Sequence, residues 1–358
     1  MSKQQVSFFW FRRDLRLEDN VGLFHALKSK YTVIPLFIFD DAILDSLPYN
    51  DPRVGFIYEN LSKINTQLLK IESALLVKKG KTLAVWELLL TEFDIKEVFF
   101  NKDYEPYAIK RDSAICELLE TNNAIAFSFK DQVIFEEKEI TKADGLPYTV
   151  YTPFKNKWLE KYKSMAPVLE YDATDVFSNF HKCDFVFPSL EQIGFEKSPI
   201  KVKPHNLKFI ANYQDIRDFP ALDQTSYLSP HLRFGTVSIR KLVNWAFHKN
   251  DVFLSELIWR EFFMQILFSF PKVVTQNFKT AYDGIKWRNN EADFQRWCSG
   301  TTGYPMVDAG MRQLNETGFI HNRVRMVVAS FLCKHLLIQW QWGEAYFAEK
   351  LLDYDLSA

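Results

Sequence analysis

At 358 residues the chain has room for two domains, since one domain usually runs to roughly 100 to 200 residues. Its formal net charge is −1, from 44 basic and 45 acidic residues, so no global field points to a nucleic acid or a membrane surface, and any DNA binding has to come from a local patch. Four scattered cysteines, Cys116, Cys183, Cys298 and Cys333, form no C-x-x-C pair; this argues against a zinc site or a disulfide framework and for a reducing cytoplasm. The apolar runs are too short for a signal peptide or a membrane span, so we expect a soluble, metal-free protein.

From Val6 to Asp131, short apolar runs alternate with longer amphipathic ones. The runs VSFFWF, TVIPLFIFD, ALLVKK, EVFFNKD and AIAFSF read as strands, and VGFIYENLSKINTQLLKIE, LAVWELLLTEF and AIKRDSAICELLETN as helices. That alternation predicts an α/β domain over residues 1–131, an open, mainly parallel sheet with helices on both faces. Such sheets take ligands at the carboxyl ends of their strands, here near Arg12, Asp40 and Asn101. No Gly-rich phosphate loop follows any strand. The cluster FRRDLRLEDN carries both signs of charge and reads as an interdomain ion-pair network.

Residues 132–205 are irregular and rich in Pro and aromatics around LPYTVYTPFKNKW, which predicts a partly ordered connector crossing the surface. From residue 206 to 358 the periodicity is helical throughout, so the second domain is expected to be all-α. It holds 17 basic against 15 acidic residues, too small an excess to announce DNA.

Four groups of residues in this half suggest chemistry. Thr225, Ser226, Tyr227, Leu228 and Ser229 precede Pro230, placing hydroxyls before a residue suited to a helix start; this is common turn chemistry or an anion site for phosphate. In SELIWREFF, the side chains of Glu256, Trp259, Arg260 and Phe263 share a helical face. Glu256 and Arg260 form either a surface pair contributing roughly 0.2 to 0.5 kcal/mol or, with the indole between them, a platform for a flat aromatic ligand. Asn322, Arg325, Met326 and Ala329 likewise share a face, either a solvated helix start or the wall of a pocket. The turn Asp353-Tyr354-Asp355 adds two carboxylates that need partners if buried. Together these groups describe a helical pocket for a phosphate-bearing, flat, polar-edged cofactor, a description that a flavin dinucleotide satisfies. Arg325 and Asp353 are expected to pair beside its ring.

The sequence resembles the cryptochrome/photolyase family along essentially its whole length, through FWFRRDLRLEDN, TPFKNKW, RDFPALDQTSYLS, ELIWREFF, TGYPMVDAGMRQLNETGFIHNRVRM and LLDYDLSA. It looks most like the class I members that repair cyclobutane pyrimidine dimers. The resemblance implies FAD held in the helical domain by Tyr213, Thr225 to Ser229, Glu256, Arg260, Phe263, Asn322, Arg325, Asp353, Tyr354 and Asp355. It implies a flipped pyrimidine dimer beside the flavin, met by Glu256, Trp259, Asn322, Arg323 and Met326, with DNA touched by Trp259 and Arg323. Trp297 and Trp340 match the outer two of three tryptophans that pass electrons to an oxidised flavin.

The partner so implied is DNA containing pyrimidine dimers, met by a monomer away from membranes; a cryptochrome-like photoreceptor without repair activity, or a flavin- or nucleotide-binding protein without light chemistry, are the other readings. Many relatives hold a second antenna chromophore in the α/β half. Around Tyr104 this chain reads YEPYAIKRD and lacks the Asn-Glu pair of folate-binding members, so the folate ligands are not matched and the antenna's identity stays open. Relatives also continue past DYDLSA with an Asn facing the flavin, the innermost tryptophan and further DNA-contacting segments. Read as a C-terminally truncated relative, the 358-residue chain is expected to bind FAD weakly and repair poorly.

Overall fold

The five apolar runs become strands because Phe, Val and Ile suit a pleated, buried surface and polar turns bound them. In the computed structural model, which describes residues 3–358, they are β1 (Gln5–Phe11), β2 (Thr32–Asp40), β3 (Leu76–Gly80), β4 (Asp94–Asn101) and β5 (Ile125–Phe129). All pair in parallel, in the order β3-β2-β1-β4-β5. Alternate residues of β1 enter separate cores: Phe9 and Phe11 pack with α1 (Val21–Leu27) and α3 (Pro52–Leu69), while Phe8 and Trp10 pack with α4 (Thr82–Glu92) and α5 (Pro106–Thr121). A short α2 (Asp41–Leu44) follows β2. Burial on both faces explains why β1, β2 and β4 read as continuous apolar runs rather than alternating ones.

The expected surface connector is not an exposed bridge. Its first part enters the helical half: α6 (Tyr151–Met165) buries Phe154, Trp158 and Tyr162 in one core with α9 (Ile239–Phe247) and α10 (Asp251–Ser269). Its later part returns to the sheet, where Ala173, Phe180, Leu190, Ile193 and Phe195 join the core beneath α3. The many Pro and aromatic residues that suggested a loop are packing residues whose partners lie far along the chain.

Two short helices, α7 (Tyr213–Ile216) and α8 (Leu228–Arg233), lead into α9 and α10. A second helical core joins α11 (Glu291–Ser299), α12 (Pro305–Thr317), α13 (Asn322–Lys334) and α14 (Trp340–Lys350) around Trp297, Met311, Leu314 and Val328. No described helix is long and apolar enough to cross a membrane.

The two halves meet through the charged segment after β1. Arg16 pairs with Asp131 at 2.7 Å, and Arg240 bridges Asp131 at 2.8 Å and Asp19 at 3.0 Å, all of them buried. Arg13 reaches Asp103, Glu105 and Asp355. Such charges are tolerated inside because each has an opposite charge and further hydrogen bonds. Gly235 lets the backbones touch: with φ of 63°, an added Cβ would fall 2.1 Å from the carbonyl oxygen of Arg13.

Candidate functional site

A cleft of about 240 Å³ opens in the helical half, between the turn 224–229, α7 and the start of α13. Tyr213, Thr225, Ser226, Tyr227, Leu228 and Ser229 line one side. Asn322, Arg323, Arg325 and Asp353 line the other. The hydroxyl turn does not end in a Pro-first helix as expected, because α8 starts at Leu228, two residues before Pro230, after Tyr227 has turned the chain with φ of 51°. With under two turns, α8 has little dipole to offer an anion; the hydroxyls and backbone of the turn are what the cleft presents.

The face on α13 forms because Val324, Val328, Phe331 and Leu332 bury the opposite side in the second core. Arg325 donates to both carboxylate oxygens of Asp353, at 3.1 and 3.2 Å. Its Nε is buried without a partner, and so is the Thr225 hydroxyl. Buried polar groups normally find partners, so two orphaned atoms of residues lining one cleft mark where a polar ligand is received. A phosphate or a flavin ring edge has the acceptors to satisfy both, and in that sense the donor set fits FAD. Ligand pockets usually measure ~300 to 1,000 Å³, so this cleft by itself is small for a whole dinucleotide.

Several residues missed from sequence complete the cleft. Arg217 lines it and pairs with Glu256 at 2.7 Å; burial works against the Arg217 charge, but Glu256 together with Tyr213 and Asp218 outweighs it and raises the pKa. Asp218 holds Arg323 at 2.5 Å. His321 caps α13, its Nδ1 accepting the Arg323 N–H at 3.2 Å, and burial lowers its pKa, keeping the ring neutral. Tyr213, already expected from sequence, is pushed up to about 12 by burial and then by Glu256, so its phenol stays protonated. Arg217 and Asp218 lie inside RDFPALDQTSYLS, the motif in which only the hydroxyls had drawn notice.

Other expected ligands point elsewhere. Arg260 does not share a site with Glu256: it donates to the carbonyls of Gln132 at 2.7 Å and Leu232 at 3.5 Å on the interdomain side, where burial pushes its pKa down to about 10. Asp355 is not at the cleft either. It pairs with Arg13 at 2.5 Å and Arg233 at 3.4 Å; burial alone would raise its pKa, but the two arginines hold it far below the usual carboxylate range. Tyr354 donates to Glu344 at 2.5 Å instead of facing a ligand.

Trp259 is not an open platform. Tyr151 lies parallel on its indole, with centroids 3.5 Å apart and planes 8° from each other, and Phe263 stacks at 5.3 Å. Met326 is exposed beside Arg323. Trp340 donates its indole N–H to Asn277 at 2.8 Å, whereas Trp297, expected with Trp340 as one of the outer two of three electron-passing tryptophans, is fully buried.

The strand-end crevice between β1 and β4 is filled by the chain's own side chains. Arg12 pairs with Asp112 and donates to the Asn101 carbonyl, its guanidinium stacks on Trp10 at 5.0 Å, and Arg111 lies on the same indole at 4.9 Å. A roomier hollow of about 660 Å³ lies between α5 and the end of α10, lined largely by apolar side chains such as Ile109, Leu267 and Phe268.

Comparison with known proteins decides the family. Residues 7–174 match the model of the DNA photolyase domain, and residues 253–358 match that of the FAD binding domain of DNA photolyase. The chain belongs to the DNA photolyase family. Among its relatives are the deoxyribodipyrimidine photo-lyase of Halobacterium salinarum, 35% identical over 98% of this chain and 79% of that one, and that of Escherichia coli, 33% identical over the same shares. An archaeal photolyase from Sulfolobus tokodaii, solved with two FAD molecules, superposes with a TM-score of 0.80 at 34% identity, covering 99% of this chain and 80% of that one. A Synechocystis cryptochrome, 24% identical, shares the fold with a TM-score of 0.80. The parallel sheet followed by a helical FAD-binding region is the architecture of these proteins.

Proposed function

We propose that the chain is a light-driven DNA repair enzyme that splits cyclobutane pyrimidine dimers with FAD. The observation that carries this reading is the cleft itself: an Arg325–Asp353 pair, the orphaned Thr225 hydroxyl and the orphaned Arg325 Nε stand together within a photolyase sequence. Thr225, Ser226 and Ser229 would hold the cofactor's phosphates, Tyr213 and Leu228 its flank, and Arg325 with Asp353 the edge of its ring. When bound, reduced FAD supplies on absorbing blue light the electron that opens the cyclobutane ring, and receives it back.

The remaining work falls to the chain's own groups. Asn322 and Arg323 line the cleft, with Met326 exposed beside Arg323, and Arg323 would meet the DNA backbone. Glu256, held by Arg217, would accept a hydrogen bond from a pyrimidine edge, and the pair would exclude water from beneath it. Flipping a dimer costs less than flipping a sound pair, because the lesion already stacks and pairs badly. The Tyr151–Trp259 stack offers an edge or needs a small shift before a base lies on it. We take the protein to act as a monomer in a reducing cytoplasm, consistent with four free cysteines, and leave the second chromophore's chemistry open.

Dimer-containing DNA, the protein with reduced FAD and blue light provide the test. Recovery of the ultraviolet absorbance of intact pyrimidines is expected. Bound, photoactive flavin with no recovery would favour a cryptochrome-like photoreceptor and sink the repair reading.

A further inference from the structure

Arg217 and Arg323 line the cleft from two walls, Arg217 at the end of α7 and Arg323 in the first turn of α13. Both reach one carboxylate oxygen, Oδ1 of Asp218: Arg323 Nε lies 2.5 Å from it and Arg217 Nε 3.7 Å. Arg217 has a second carboxylate, Glu256, at 2.7 Å. Among the described residues Arg323 has only Asp218, its other side-chain neighbour being the Met326 sulfur at 4.0 Å.

Asp218 is not held as a structural anchor would be. It stands outside the cleft lining, and the pair is open to water, with the Asp218 side chain 51% and the Arg323 side chain 43% exposed. Its carboxylate accepts no other hydrogen bond among the described residues. The bond from Arg323 holds its pKa below the ordinary carboxylate value, so it is ionised in any neutral solution. Exposed ion pairs contribute little to folding, and the fold has small use for this one. An anionic oxygen set between two guanidinia is, however, the environment that a phosphodiester oxygen takes on a protein surface.

We propose that Asp218 holds the place of a DNA phosphate on Arg323 and yields it when the backbone docks. This rests on the reading above in which Arg323 meets the DNA backbone. The exchange swaps one anion for another: the phosphate gains the guanidinium, and the Asp218 carboxylate turns out to water and takes up a counterion. An unpaired Arg that neutralises a phosphate releases about 0.9 of a counterion from duplex DNA, and here Asp218 takes up roughly as much. The Arg323 contact therefore adds almost nothing to the salt dependence of binding. Asp218 weakens a contact that carries no information about the lesion, which leaves discrimination to the groups inside the cleft.

The test measures binding of a duplex with one cyclobutane pyrimidine dimer to the chain in saturating FAD, in the dark, across a range of salt concentrations. Asp218→Asn leaves Arg323 an amide oxygen but removes the charge. Binding should tighten about twofold to fivefold at low salt, and the slope of log K against log salt should steepen by about 0.9. Asp218→Ser, which removes the charge and shortens the side chain, should do the same. Arg323→Gln should leave the slope of the unmodified chain nearly unchanged but lower that of Asp218→Asn by about 0.9. Far-ultraviolet circular dichroism checks that each variant is folded. Equal or weaker binding by both Asp218 variants, with an unchanged slope, would make Asp218 a residue that only orients Arg323 and overturns the proposal. A slope that Arg323→Gln lowers equally with and without Asp218 does so too. If none of the proteins binds the damaged duplex, the DNA reading beneath the proposal falls with it.

Discussion

Replacing Glu261 by Gln isolates one buried charge whose cost the structure lets us work out. Glu261 is 3% exposed, and its carboxylate accepts the backbone N–H groups of Ile134 at 2.7 Å and Phe135 at 3.0 Å and the indole N–H of Trp158 at 2.7 Å. It ties the start of the 132–205 segment and α6 to α10, the helix that carries Glu256 and Trp259. Burial pushes its pKa up, the three donors pull it part of the way back, and the outcome is about 7 against an ordinary 4.5. In the unfolded chain this carboxyl therefore ionises near 4.5, while in the folded one it stays protonated until about 7.

Its contribution to stability is full below the lower value, decays as pH rises through the window and levels off above the upper one. Each tenfold difference in proton affinity between the folded and unfolded chain is worth about 1.4 kcal/mol, so the change across the window is about 3 kcal/mol. Glutamine does not titrate, but its amide nitrogen faces donors that want an acceptor, so a pH-independent loss of about 1 to 3 kcal/mol is expected as well. Urea unfolding of both proteins across the window reads the difference. The advantage of the unmodified protein over Glu261→Gln should shrink by about 3 kcal/mol between the two pKa values. Carboxylates that arginines hold low, such as Asp131 and Asp355, weaken both proteins alike in acid and cancel. Parallel stability curves would refute the argument.

Gly235→Ala places a Cβ against the Arg13 carbonyl at a left-handed position; strain and overpacking together should cost about 2 to 5 kcal/mol in a denaturant titration, and a neutral result would mean the two halves shift apart freely. Asp353→Asn removes the charge facing Arg325, and losing a charge-assisted bond of about 1.5 to 3 kcal/mol should weaken FAD retention roughly tenfold to a hundredfold by flavin fluorescence; unchanged retention would take the pair out of the cofactor site. Trp259→Ala should weaken lesion binding by about 1 to 3 kcal/mol in a DNA-binding assay. Tyr151→Ala, which frees one indole face, tests whether the stack positions Trp259: a change in KM for dimer DNA restored by Tyr151→Phe supports positioning, and no change assigns the stack to packing.

How much was legible beforehand is clearest residue by residue. The strands β1, β2 and β4 were readable because burial on both faces leaves unbroken apolar runs, whereas the edge strands β3 and β5 are only partly buried; the long helices of the second half were readable by their period, which lapses in the irregular stretches 201–227 and 270–290. The short α1 was missed: seven residues after a charged turn carry too little periodicity to stand out. Asn322 and Arg325 line the same cleft, as a helix's own period, which decides which of its residues share a face, led us to expect; Met326, expected on that face, is not in its lining.

What a helix faces is a different question, and only tertiary packing answers it. Periodicity put Glu256 beside Arg260, but the arrival of α7 gave Glu256 to Arg217 and the interdomain carbonyls took Arg260. Asp355 looked like a cofactor ligand until the segment after β1, more than three hundred residues earlier, supplied Arg13. The covering of Trp259 by Tyr151 and the burial of Trp297 under α14 have the same origin. Residue type and local period are properties of a short stretch of chain, and by themselves they determined the parallel sheet covered on both faces, the helical half that follows it and the polar groups available to this protein's cleft. Burial, ion pairing and stacking are decided between stretches distant in sequence, where desolvation makes each charged or aromatic group take the partner that packing brings.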